Sequence, residues 1–193
     1  MIALTALYCD FDPDFHGQFY PKLRYKMMGS DSNYFMEIDS GTDVLSLKEF
    51  DYSQLRELVV SSSSSCTYIV DVQKLLTLSS LRVLSIDENS TYINGSVQDI
   101  LKGMLSVNEL KLEGFKQLSS LDLSSLNCTS VSIYGSDIHE LVLPSARDIS
   151  LELDGCTIYS KDIISDLYTI ALTNGRIEKL TVTDSRYARE VSA

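Results

Sequence analysis

The spacing L-x-x-L-x-L constrains this chain more than any other feature. It is plainest at Val107-Asn-Glu-Leu110-Lys-Leu112 and returns at Leu118-x-x-Leu121-x-Leu123, Cys128-x-x-Val131-x-Ile133, Ile138-x-x-Leu141-x-Leu143 and Asp148-x-x-Leu151-x-Leu153. Two apolar residues separated by one polar residue point to the same side of a strand, because strand side chains alternate. A single instance describes any half-buried strand. Five in a row, at steps of ten or eleven residues, describe a chain that stacks on itself.

Outside this stretch the steps are longer. Leu55-x-x-Leu58-x-Val60, Leu81-x-x-Leu84-x-Ile86 and the Leu110/Leu112 pair end on residues 60, 86 and 112, two steps of 26 residues. A strand and a helix fit that length. Asp71 and the Leu75-Leu76 pair predict a short helix over 71–78, and Val97, Ile100, Leu101, Met104 and Leu105 predict one over 97–105. In the middle, every second apolar pair gives steps of 21 and 20 residues (112 to 133 to 153), which predicts slim coils backed by extended chain. Leu121/Leu123 and Leu141/Leu143 then belong on the convex side.

The end of the chain is expected to return to the helical type. Ile163, Ile164, Leu167, Ile170, Ala171 and Leu172 predict a helix over 161–173 closed by Asn174-Gly175. A last strand is expected at Ile177-x-x-Leu180-x-Val182. Val44-Leu-Ser-Leu47 reads as the first strand of the repeat. Residues 1–41 carry dense aromatics but no repeat, as expected of an N-terminal cap over an exposed coil end. The organisation is a cap over 1–41, an irregular repeat solenoid over 42–187 and a C-terminal tail over 188–193.

These motifs resemble the leucine-rich repeat family, over roughly residues 42–187. Leu81-x-x-Leu84-x-Ile86-x-x-Asn89 and Leu151-x-Leu153-x-x-Cys156-x-Ile158 carry the family's consensus, in which an Asn or Cys bonds the backbone where the chain leaves its strand. Phe115, Ser136, Ser63 and Ser185 hold that place in the other units. The cysteine-bearing run is similar to the subgroup common in ubiquitin-ligase substrate receptors. The strand-backed middle is similar to cell-surface L-domains and bacterial surface repeats. The resemblance implies an α/β, right-handed leucine-rich-repeat solenoid with one curved parallel β-sheet, helices behind the outer units and strand-backed coils in the middle.

A net charge of −11 repels phosphates and argues against direct nucleic-acid binding. No apolar run is long enough to span a bilayer. Cys9, Cys66, Cys128 and Cys156 contain no C-x-x-C pair, and reduced thiols with no convincing signal segment point to a cytoplasmic or nuclear protein. Three sequons, at Asn89, Asn94 and Asn127, keep a secreted protein as the alternative. Asp10, Asp12 and Asp14 read as a solvated acidic turn and not as a calcium loop. His16 and His139 have no nucleophile or ligand spacing around them, so no catalytic residue, metal or cofactor is expected. The five serines from Ser61 to Ser65 read as an exposed loop open to phosphorylation.

The expected function lies in the surface. Stacking the strands places Ser85, Lys111, Ser132, Glu152 and Thr181 in one outward column and Asp87, Glu113, Tyr134, Asp154 and Thr183 in the next. The expected partner-binding residues are Asp87, Lys111, Glu113, Ser132, Tyr134, Glu152 and Asp154, an acidic concave face with Tyr134 as aromatic anchor. The expected protein is a non-catalytic binding module or adaptor with a basic protein partner. A substrate-receptor subunit of a larger complex and a secreted module binding glycans or receptors are the alternatives.

Overall fold

A computed structural model describes residues 1–11, 21–61, 67–89, 91–116, 118–144, 149–159, 163–165, 167–177, 180–182 and 191–192. Asp12, Asp14, His16, the serines at 62–65, Cys66, Asp148, Ser185 and residues 188–190 lie outside them. The described chain is mostly strand with two short helices, and its pairings are predominantly parallel. It divides into two compact units, Met1–Ile100 and Leu101–Ala193.

The first unit opens with β1 (Ile2–Phe11), β2 (Pro21–Met27) and β3 (Asn33–Glu37), an antiparallel meander. A β-bulge between Leu4 and Ala6 breaks the simple alternation of β1. Beyond it Leu7 and Cys9 are buried while Tyr8 faces outward, which is how a bulge re-aims a side chain. On its other side β1 pairs in parallel with β4 (Phe50–Asp51) and β5 (Glu57–Val60). The expected strand at Val44–Leu47 is instead a turn, because Asp43 forms the bridge to Ile69 and its carboxylate accepts from the Leu45 N–H.

The chain continues through β6 (Tyr68–Asp71), α1 (Val72–Leu75), β7 (Val83–Asp87), β8 (Thr91–Asn94) and α2 (Val97–Gly103). Asp71 caps α1 by accepting from the Gln73 and Lys74 N–H groups, as a short acidic side chain does at a helix start. Leu58 and Val60 of β5 stand against Leu84 and Ile86 of β7 in parallel register, the 26-residue step seen in the sequence.

The second unit carries β9 (Glu109–Glu113), β10 (Leu121–Asp122), β11 (Ser130–Tyr134), β12 (Asp137–Ile138), β13 (Leu141–Val142), β14 (Ile149–Asp154) and β15 (Thr157–Ile158). It ends with β16 (Ile163–Ser165), β17 (Leu167–Thr173), β18 (Arg176–Ile177), β19 (Leu180–Val182) and β20 (Val191–Ser192). In the first ladder Leu110, Val131, Leu151 and Ile170 are successive parallel partners, as are Leu112, Ile133, Leu153 and Leu172. Leu121 pairs in parallel with Leu141 in a separate two-stranded ladder, so this chain is extended as expected. A third ladder joins β12, β15 and β18, with Ile138, Ile158 and Ile177 in register.

The helix expected over 161–173 is replaced by β16 and β17. The segment is rich in β-branched residues (Ile163, Ile164, Thr169, Ile170, Thr173), whose χ1 freedom suffers in a helix and suits a sheet. Its Ile170 and Leu172 take the places expected of Leu180 and Val182, and β19 pairs with β16 instead. Consequently no helix backs this last part among the described residues.

One column of turns ties the strands of the second unit together. Gly114, Gly135, Gly155 and Asn174 each follow a ladder strand and each has positive φ, at 75°, 54°, 62° and 51°. The N–H groups of the three glycines donate to the end of the next ladder strand, to the backbone oxygens of Tyr134, Asp154 and Thr173 at 2.9, 2.8 and 2.8 Å. Glycine enters this left-handed conformation without strain, and asparagine is the side chain that tolerates it best. One residue further sits the motif's Asn/Cys place. Buried Ser136 fills it, accepting from the Phe115 N–H at 3.1 Å and donating to the Tyr134 oxygen at 2.9 Å. The Cys156 thiol repeats the role by donating to the Ile133 oxygen at 3.1 Å.

Candidate functional site

Strands β9, β11 and β14 bring six of the seven expected site residues onto one outward face. Lys111, Ser132 and Glu152 are direct register partners, and so are Glu113, Tyr134 and Asp154. Neighbouring strands lie about 4.8 Å apart, so each row is within interaction reach. In place of Thr181 and Thr183, the rows continue to Ala171 and Thr173.

Asp87, also expected among the partner-binding residues, is buried. It lies in the first unit, is 2% exposed, and its Oδ1 accepts from the Asn89 N–H and Nδ2, each at 2.9 Å. Alternation says which side of β7 a residue faces, but both sides of this strand are covered: Leu84, Ser85, Ile86 and Asp87 are all buried. Asn89, in the motif's asparagine place, spends its amide on Asp87.

Tyr134 is the centre of the face. Its hydroxyl donates to Glu152 Oε2 at 2.7 Å, and Ser132 Oγ donates to the same oxygen at 3.3 Å. Lys111 Nζ lies 4.7 Å from the centroid of the Tyr134 ring and 3.5 Å from Glu113 Oε2. Asn174 Nδ2 donates to Asp154 Oδ1 at 3.3 Å, a contact the sequence reading did not anticipate because Asn174 was assigned to a helix end. Partial burial, followed by the hydrogen bond to Glu152, pushes the Tyr134 phenol above its usual range. The face therefore presents an uncharged hydroxyl, three carboxylates and one ammonium. The Lys111–Glu113 pair is about half exposed, so solvent screening leaves it worth little by itself.

His139 is exposed and stacks on Tyr159 with centroids 4.8 Å apart. Among the described residues no group of three or more His, Cys, Asp or Glu side chains is placed to hold a metal ion. Cys128 and Cys156 are free thiols and, like Cys9, are buried; burial pushes the Cys128 thiol up to about 12. No helix among the described residues is long and apolar enough to cross a membrane. In the first unit a cleft of ≈ 350 Å³ is lined by Thr5, Lys26, Asp31, Arg56 and Glu57 among others.

None of the protein families, curated proteins or solved structures compared with the chain matches it.

Proposed function

We propose that this chain is a non-catalytic repeat module, of right-handed leucine-rich-repeat architecture, that binds a basic protein partner through the Tyr134 face. The observation that supports this reading most is the register of β9, β11 and β14. It brings an aromatic ring, three carboxylates and a lysine from three separate coils onto one outward surface. Strands joined at every backbone position hold such groups with little freedom to lose, so a partner meets a preformed surface. Excess negative charge steers a basic partner and sets its register, while the ring of Tyr134 supplies the contact area.

The test uses a photo-crosslinking amino acid at Ser132, within the face, and separately at Ser124, exposed in the turn after β10. Irradiation of cells that make the protein is expected to give a discrete conjugate from position 132 that disappears when Glu113→Gln, Glu152→Gln and Asp154→Asn are added. A conjugate formed only from position 124, or one from position 132 that survives neutralisation of the carboxylates, overturns the reading.

A further inference from the structure

β3 ends the order of paired strands in the first unit. β2 lies on one edge of it, and among the described residues no strand pairs with the other edge. An open edge presents a row of backbone N–H and C=O groups ready to join another strand. Proteins usually blunt such edges with lysine, proline or a bulge. β3 reads Asn33-Tyr-Phe-Met-Glu37, with neither lysine nor proline, and its register against β2 runs without a shift. At its middle stands Phe35, 61% exposed, an aromatic ring held out beside Arg24 of β2.

We propose that this edge joins two copies of the chain, with Asn33–Glu37 of each pairing antiparallel about a two-fold axis at Phe35. The register argues for a second copy. Two copies of one strand related by a two-fold axis pair antiparallel with residue numbers that sum to an even value, because the axis sets one residue opposite its own copy. A sum of 70 sets Phe35 against Phe35, Tyr34 against Met36 and Asn33 against Glu37. Those are an aromatic pair, an aromatic–sulfur contact and a hydrogen-bonding pair, with no like charges opposed. A sum of 68 sets Asp31 against Glu37, and a sum of 72 sets Phe35 against Glu37. Parallel pairing in register would oppose Glu37 to itself.

The same arithmetic limits the contact. Two residues past each end of the strand, a sum of 70 brings Asp31 against Asp39, so pairing is confined to the strand and its immediate flank. Five residues cover far less than the roughly 800 Å² per partner of a standard interface, so the association is weak and depends on concentration. It involves the first unit alone and is independent of the Tyr134 face.

Sedimentation velocity of the full chain over a wide concentration range tests this. The expected result is a mass rising from one chain towards two. Phe35→Lys, which places like charges on the axis without touching the core, should hold the mass at one chain, and Asp31→Asn should shift association to lower concentration. Phe35→Cys tests the register: it should form a disulfide-linked dimer under mild oxidation, whereas Asn33→Cys, whose counterpart is Glu37, should not exceed the unsubstituted chain. The unsubstituted chain, with its own four cysteines, is the baseline for both variants. A single chain at every concentration overturns the proposal and leaves the edge to a strand from a different protein. Association that Phe35→Lys leaves unchanged places the dimer contact elsewhere. Equal crosslinking from positions 33 and 35 refutes the two-fold register.

Discussion

The two units each contain a tyrosine on a strand between a parallel glutamate-bearing strand and a cation-bearing strand, the latter antiparallel in the first unit and parallel in the second. In the first, Tyr8 of β1 donates to Glu57 of β5 on one side, with the Arg24 guanidinium of β2 5.6 Å from its ring on the other. In the second, Tyr134 of β11 donates to Glu152 of β14, with Lys111 of β9 over its ring. Even the diagonal is the same, since each glutamate stands two residues before the tyrosine's direct partner on the neighbouring parallel strand. That direct partner is where they part: Val59 beside Tyr8, Asp154 beside Tyr134. With an apolar neighbour and a planar guanidinium, Tyr8 is desolvated, and burial first, then Glu57, pushes its phenol up to about 12. With Asp154 and Glu113 in its row, Tyr134 sits in an open, negatively charged setting. One geometry thus serves cross-strand packing in one unit and an exposed charged surface in the other.

The largest effects should come from what the units share. Leu58 and Leu151 are 0% and 1% exposed on the inward columns of their ladders. Leu→Ala at either should cost about 2–5 kcal/mol in denaturant melts, through lost transfer energy and a cavity. A loss at one site only would mean that the units are not built on equivalent columns.

Next comes the turn column that distinguishes the second unit. Gly135 has φ of 54°, and its N–H donates to Asp154. Gly135→Ala leaves open space for the methyl group but forces a left-handed backbone, at roughly 1–2 kcal/mol. A thermal midpoint within error of the parent would show that this turn relaxes to another conformation.

A smaller effect separates the tyrosines directly. A phenol whose folded value is raised contributes stability that is fully present below its unfolded value, near 10. That contribution is lost as pH rises through the folded value. For Tyr8 the window runs from about 10 to about 12. Absorbance titration should show phenols ionising near the top of this range, Tyr52 being the other, raised by burial to about 12. Tyr8→Phe should remove one of them and flatten the fall in stability across the window. An unchanged titration would mean that Tyr8 is not desolvated as described.

Smallest of all, neutralising Glu113, Glu152 and Asp154 should alter stability by less than about half a kcal/mol per site, the scale of surface substitutions. A larger loss would make these groups structural, as Glu57 is beside Tyr8.

The repeat explains what was legible. Because L-x-L recurs every twenty or so residues, the rows Lys111–Ser132–Glu152 and Glu113–Tyr134–Asp154 could be written from the sequence and hold residue for residue. The Tyr8 cluster could not, since Tyr8, Arg24 and Glu57 share no period and a bulge resets β1. Residues 163–172 satisfy helix and strand spacing alike, and only the β-branched content of the segment and its register partner β14 decide the outcome. The burial of Asp87 is not legible in the sequence, because periodicity gives direction and says nothing of cover. The column at Gly114, Gly135, Gly155 and Asn174 carries a readable signal, a turn residue at constant offset from each L-x-L.

The claim that the Tyr134 face is the binding surface is tested most directly by association kinetics. The partner captured by crosslinking from position 132 is immobilised, and the parent chain is compared with the Glu113→Gln/Glu152→Gln/Asp154→Asn variant at two salt concentrations. The account predicts slower association for the variant, with most of the salt dependence gone. Association rates and salt dependence unchanged from the parent would contradict it.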